Sequence, residues 1–384
     1  MNNSTAYNLS SAGVNSAEGV PPLGAGDIVM VVIYVTVCAV GLIGNGLAMA
    51  VVLYNPSMKS SSSIYIFNLS LSDFLFLLTL PITITLILNR RWSFGETLCK
   101  IHMGSFGVNL FTSIHTLLLM SIDRYIAMCQ IRLQRFRTIR NSIISCIGIW
   151  VLAIFLILPI WLYSRMDKGS CSMEWERLEN STINPVHMFI IYTGTLGFVL
   201  PIFAITIFYS LIIAKLRSQT APTANTNESK RARTRRVTIL VLTLILVYVG
   251  CWLPYWSIQI YVLAEAPFTP TMFYAYQVAT ALYHINSMLN PILYGFLSET
   301  FRKGVVGTVT CQPVSKHNQG GVAMSLTKSH ILTSHYQNGS TCVSSPGLTR
   351  GRLLPLTDEM EDNSSAAVRE KLLGTEISDY KTQE

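Results

Sequence analysis

The chain has 384 residues, half of them hydrophobic and only 12% charged. A soluble domain carries about twice that charged fraction, so a water-soluble globular fold is excluded. The net charge of +8 needs no nucleic-acid partner, because the basic residues gather in loops on one side of the chain's apolar segments, where anionic lipid or an acidic protein accounts for them.

The predicted elements follow in chain order. Residues 1–27 are polar and lack the apolar run of a cleavable signal. Seven apolar segments follow, each about 20 residues or more, the length that crosses a bilayer as a helix. They are Ile28–Tyr54, Ile64–Leu88, Ile101–Met128, Ser142–Tyr163, Met188–Ala214, Val237–Leu263 and Met272–Tyr294. A short amphipathic stretch, Ser298–Val309, comes next. The fold class is therefore all-α, a seven-transmembrane helix bundle with a short amphipathic eighth helix. It has an N-terminal segment (1–27), a seven-transmembrane domain with the amphipathic helix (28–309) and a tail (310–384). The tail is rich in Ser, Thr, Gly and Asn and is expected to be disordered.

Lys and Arg in the loops set the orientation. One side holds twelve, from Lys59 to Arg236; the other holds six, and the first 27 residues have none. The basic side is cytosolic, which puts the N-terminus outside in the plasma membrane. Sequons at Asn2, Asn3, Asn8 and Asn180 then lie outside, where glycosylation is allowed. Of the eight cysteines, only Cys99 and Cys171 face an oxidising space, so they are expected to pair. Cys311 ends the amphipathic stretch, as an S-palmitoylation site or a free thiol. The Ser and Thr of the tail read either as phosphorylation sites or as a plain flexible chain.

Polar residues inside apolar spans are costly and, by default, functional candidates. Asp73, Asn109, Ser113, Asn286, Ser287 and Asn290 are such residues. Oxygen ligands around one carboxylate suit a small hard cation, with sodium the abundant choice; the alternative is a hydrogen-bonded network around a protonated Asp73. No other cofactor is expected. Pro81, Pro159, Pro201, Pro254 and Pro291 each remove a backbone donor within a span and serve as bends. Trp252 beside Pro254 puts a large ring at a bend. At the inner face, Asp123-Arg124-Tyr125 closes span three and Asn290-Pro291-Ile292-Leu293-Tyr294 closes span seven. Arg124 is expected to seek Asp123 or a polar group on span six, with Thr234 and Thr238 nearest. No phosphate-cradling Gly loop, HExxH motif or paired intramembrane carboxylate supports an enzyme, and the repeated halves of a transporter are missing.

These motifs together resemble those of a rhodopsin-like (class A) G-protein-coupled receptor. The anchors are Gly44-Asn45, Asp73, Asp123-Arg124-Tyr125, Trp150, Pro201, Tyr209, Cys251-Trp252-Leu253-Pro254 and Asn290 to Tyr294. The stretches Trp92–Lys100, Val108–Ile114 and Asn290–Ser298 are similar to the somatostatin, opioid and allatostatin-C receptor branch. The resemblance implies an extracellular neuropeptide ligand, a Gi/o-type G protein, and receptor kinases and arrestin at the tail. Asp123, Arg124, Tyr125, Tyr209, Asn290, Pro291 and Tyr294 would carry activation and coupling. Helix spacing from the anchors gives a ligand pocket of Phe106, Trp252, Gln259, Tyr276, Thr280 and His284, with His284 read either as a ligand contact or as packing.

Three departures stand out. Phe106 replaces the branch's acid in span three, so a basic ligand anchor finds no counter-charge. That favours an allatostatin-C-like peptide over a somatostatin-like one. Tyr248 stands where most relatives have Phe, and Gln130-Ile131 replaces the usual Pro of the second inner loop. A retinal pigment is excluded because span seven has no Lys. An amine receptor would need the missing acid, while a chemokine-like or lipid receptor stays open as the alternative.

Overall fold

A computed structural model describes residues 23–167, 169–173, 185–218, 228–265, 267 and 269–309. Asn2, Asn3, Asn8, Asn180 and Cys311 lie outside these residues, as does the Thr234 side chain. Eleven helices form α1 (Ala25–Tyr54), α2 (Ser61–Leu77), α3 (Leu80–Asn89), α4 (Gly95–Cys129), α5 (Ile139–Leu156), α6 (Leu158–Tyr163), α7 (Pro185–Gly194), α8 (Leu200–Ser218), α9 (Glu228–Leu263), α10 (Pro270–Leu297) and α11 (Glu299–Val309). Paired pieces make single spans: α2 with α3, α5 with α6, and α7 with α8. α4 is the central span, packed against α2, α5, α8 and α9.

Six of the seven spans are long and apolar enough to cross a membrane by length and composition. The seventh, α10, has the length but not the apolarity. Thr280, His284, Asn286, Ser287 and Asn290 dilute it, and all five are buried in the bundle. Among protein neighbours such polar groups can be satisfied, which lipid does not allow.

The prolines explain why the spans are broken. Pro81 cannot donate to the Leu77 carbonyl, and the span stops at Leu77 and restarts at Leu80. The Cys38 thiol approaches that freed carbonyl at 3.8 Å. Pro159 likewise divides α5 from α6. Ahead of Pro201 the helix widens into a π turn over Thr195–Val199. Pro254 and Pro291 lie inside continuous helices. For Pro291 the freed carbonyl is that of Ser287, and Asn45 of α1 donates to it at 2.9 Å. Gly44 lets the helices come that close, because a Cβ there would sit 2.8 Å from the Pro291 ring. The Gly44-Asn45 pair thus both admits and satisfies the bend in span seven.

Between spans four and five, a hairpin pairs β1 (Ser164–Asp167) with β2 (Ser170–Met173), Met166 opposite Cys171. A Cys99–Cys171 disulfide ties it to the start of α4, as the sequence required. Trp92, fully buried, packs with this disulfide, and its backbone N–H donates to the Gly169 carbonyl at 2.7 Å.

Candidate functional site

Three constellations lie along the central helix, and the first surrounds Asp73. Its side chain is fully buried. The Asn109 amide donates to Asp73 Oδ1 at 3.1 Å and reaches Ser72 and Ser113 Oγ at 3.3 Å each. The Asn290 amide donates to Asp73 Oδ2 at 2.7 Å. Asn286 and Ser287, one turn before Asn290, are buried on the same helix. The carbonyl oxygens of the Asn109 and Asn286 side chains are buried acceptors with no hydrogen-bond partner. Sequence reasoning grouped five of these residues, of which Asn109 is bonded to Asp73 and Ser113. It missed Ser72, which also bonds Thr112, and it gave Asn290 a coupling role without its bond to Asp73.

The second constellation is aromatic. Trp252 is completely buried and stacks on Tyr248 at 5.5 Å and Tyr283 at 5.2 Å between ring centroids. Phe106 touches Trp252, Tyr255 and Tyr283 at 5.8, 5.5 and 5.2 Å. Such contacts fall in the favoured range for aromatic pairs. Gln259 hydrogen-bonds Tyr255, and Tyr276 approaches the same ring at 6.5 Å. Phe198, inside the π turn, stacks on Tyr248. Four of the six expected pocket residues therefore belong to one cluster.

Thr280 and His284 face elsewhere. The Thr280 hydroxyl meets Tyr34 OH of α1 at 3.1 Å. The His284 ring stacks on Phe76 at 4.7 Å, and its Nδ1 bonds the Thr280 carbonyl at 2.7 Å. Tyr283 contacts both His284 and Trp252, so it stands between the two groups. His284 packs here against Tyr34, Phe76 and Tyr283. Tyr255 and Tyr283, absent from the expected pocket, are members of the cluster; the spacing of Tyr255 three after Trp252 and of Tyr283 seven after Tyr276 was the signal available.

The third constellation is at the inner end of α4. Arg124 is buried and pairs with both Asp123 and the Ser62 hydroxyl of α2. Ser62 also donates to Asp123 at 3.3 Å. Arg137, from the turn after the 3₁₀ segment Ile131–Phe136, grips the same carboxylate with two N–H groups at 2.8 and 3.1 Å. This forked geometry suits guanidinium and carboxylate. Of the two alternatives expected for Arg124, the Asp123 partner is the one seen, and the Thr234 side chain lies outside the described residues. Thr238 instead donates to Met128 Sδ at 3.2 Å, and its carbonyl accepts from Tyr209 OH at 3.4 Å. Ser62 and Asp123 both sit within reach of one guanidinium nitrogen of Arg124, Nη2. Tyr125 packs on Phe208 and accepts from Gln130, which shows what the residue replacing the loop proline region does locally. Tyr294, fully buried, packs on Phe301 of α11.

Known proteins match most of this chain. The family model of the 7 transmembrane receptor (rhodopsin family) matches residues 44–294. Somatostatin receptor type 5 of Bos taurus is 38% identical over 291 residues, covering 74% of this chain and 76% of its own. Somatostatin receptor type 1 of Rattus norvegicus is 36% identical over 305 residues, with 77% and 75% covered. Somatostatin receptor type 3 of Mus musculus is 36% identical over 295 residues, with 73% and 68% covered. The chain belongs to the rhodopsin family of seven-transmembrane receptors, a non-enzymatic, multi-pass family of the plasma membrane, in the branch that includes the somatostatin receptors.

Proposed function

We propose that the protein is a receptor for an extracellular neuropeptide that activates a Gi/o-type G protein. The observation that carries this reading is the buried Arg124, held by Asp123 and Ser62 at the inner end of the central helix. A buried cation paired with a carboxylate often has no stability advantage over apolar packing, and its use in this reading is in being released. Ligand contact at Phe106 and Trp252 would shift the aromatic cluster. Span six would swing at Pro254, the Thr238–Met128 contact would part, and the inner cleft would open to a basic-loop-lined surface for the G protein.

The ligand class follows from chemistry. The relatives named above are somatostatin receptors, which supports a peptide. Phe106 lies among Trp252, Tyr255 and Tyr283, and the acids at the outer ends of the spans, Asp27 and Glu96, are already paired with Arg90 and with Lys100 and Arg165. An uncharged anchor, as in an allatostatin-C-like peptide, suits that wall better than a basic one, because a cation would be desolvated without a partner.

Asp73, Asn109, Ser113, Asn286 and Ser287 fit a sodium ion: one carboxylate, two serine hydroxyls and two amide oxygens, of which the Asn109 and Asn286 oxygens lack partners. Bound there, sodium would neutralise Asp73 and favour the resting packing of spans two, three and seven. In the same reading the N-terminus and its sequons are extracellular, Cys311 carries a lipid, and receptor kinases and arrestin act on the tail.

The test is guanine-nucleotide exchange on Gi/o in membranes containing the receptor, with somatostatin-like and allatostatin-C-like cyclic peptides in parallel. Exchange with the allatostatin-type peptide alone is the expected result. Exchange with neither peptide would remove the ligand assignment. Exchange with the somatostatin type would show that its basic side chain finds a partner elsewhere.

A further inference from the structure

A cleft of about 370 Å³ opens beside the Asp123–Arg137 pair. Its walls are mostly apolar and come from three spans and a loop: Tyr65 of α2, Leu119, Ile122 and Ile126 of α4, Ile144 of α5 and Phe136 of the connecting segment. Its floor is polar. Asp123 is there with a 3% exposed side chain, and so is Arg137 with 26% of its side chain exposed. The cleft's own charged groups, Asp123 and Arg137, balance each other, and the buried Arg124 pairs with the same carboxylate.

The surroundings extend both features. Ile144 and Ile147 are 55% and 57% exposed on the outward face of α5, continuing the apolar wall toward lipid. Arg132, Arg135 and Arg140 are exposed around the same loop, and none forms an ion pair among the described residues. An apolar slot facing lipid, with a cation at its base and basic residues at its rim, matches one ligand shape: an anionic head on a hydrocarbon chain. Nothing on the receptor reaction requires this arrangement, since Asp123 already has Arg124 and Ser62.

We propose that this cleft binds an anionic phospholipid of the cytosolic leaflet, its phosphate taken by Arg137 and its acyl chain laid between α4 and α5 along Ile122, Ile144 and Ile147. The placement in that leaflet rests on the orientation proposed above; the binding itself does not. The lipid competes with Asp123 for the Arg137 guanidinium. Arg137 has the exposed edge to serve both, whereas Arg124 is closed off by burial. The inner leaflet's anionic surface attracts basic residues in general; the cleft adds a defined seat and a preference that depends on its shape.

The experiment is native mass spectrometry of the purified full-length receptor equilibrated with mixed phosphatidylserine and phosphatidylcholine. Wild type is expected to retain phosphatidylserine selectively. Arg137→Gln is expected to lose about fivefold of that retention, the share of one basic group at an anionic surface. Ser145→Phe fills the cleft without changing charge, and it should lose the lipid to a similar degree. Retention unchanged in both variants overturns the proposal. Loss in Arg137→Gln with full retention in Ser145→Phe also overturns it, by placing the lipid on the loop's charge rather than in the cleft. Because the readout is bound lipid, it stands apart from peptide response and G-protein choice: a receptor silent to both peptides still tests the cleft.

Discussion

Around Trp252, five aromatic side chains from three spans meet without an ion pair. Some turns further in, around Asp123, two arginines, a serine and a carboxylate meet with hardly a ring involved. Both regions are buried, and both join neighbouring spans to α4. They respond differently to movement. Ring contacts have preferred geometries but are individually weak, and they soften gradually as centroids separate. A forked ion pair in a low-dielectric site is held or lost, because a half-broken one leaves a buried charge unpaired. A device that senses ligand by small shifts and answers inside in an all-or-none way would place its parts in this order.

Breaking the inner region should have the largest effect. Arg124→Ala is expected to abolish agonist-driven nucleotide exchange while surface expression, read by antibody labelling of intact cells, is kept. Strong exchange by this variant would place the switch elsewhere. On the outer side, Cys171→Ser frees the hairpin from α4. Loss of a native disulfide costs about 2–5 kcal/mol, and peptide binding should collapse with a lower melting temperature. Normal binding would separate the hairpin from the pocket.

Trp252→Ala sharpens the comparison directly. Truncating a fully buried Trp costs about 3–5 kcal/mol, so thermal stability in detergent should fall, with signalling reduced rather than abolished. An effect on exchange as complete as that of Arg124→Ala would erase the distinction between graded and all-or-none regions. Asp73→Asn, between the two, should leave folding intact and remove the sodium dependence of agonist affinity. Equal salt dependence in mutant and wild type would exclude the cation.

The smallest effect is expected at the exposed inner rim. Glu299 bridges Lys303 within α11 and Arg236 of α9. These cations, Lys303 first, hold its carboxyl below the ordinary glutamate range. A lowered folded pKa means that the stabilisation is present above the unfolded value and is lost as pH falls through the folded one. Glu299→Gln should therefore flatten the acid side of a melting-temperature profile slightly and leave neutral pH almost unchanged. Exposed pairs of this kind are weak, so a large change would reveal a contact between span six and α11 that matters to the resting state.

Much of this was legible in the chain. Apolar length located the spans, and the short motifs named Asp73, Asp123, Arg124, Trp252 and Asn290 before any coordinates. The Cys99–Cys171 bond followed from topology. Other features were not legible because they join residues far apart in sequence. Ser62 and Arg137 read as ordinary loop-edge residues until α2 and the second inner loop were brought to Asp123. Thr280 and His284 lie four apart on one face, which spacing could show, but spacing could not say whether that face met the pocket or α1.

The seven spans and their buried polar residues were thus determined by sequence alone, because lipid tolerates neither unpaired backbone nor stray charge, and the chain must declare both locally. The partners of those residues were decided only by the tertiary structure. Each polar side chain had several acceptors within reach on paper. Which one it met depended on how α1, α2 and the inner loop packed against α4, a choice made by the fit of whole helices rather than by any residue in them.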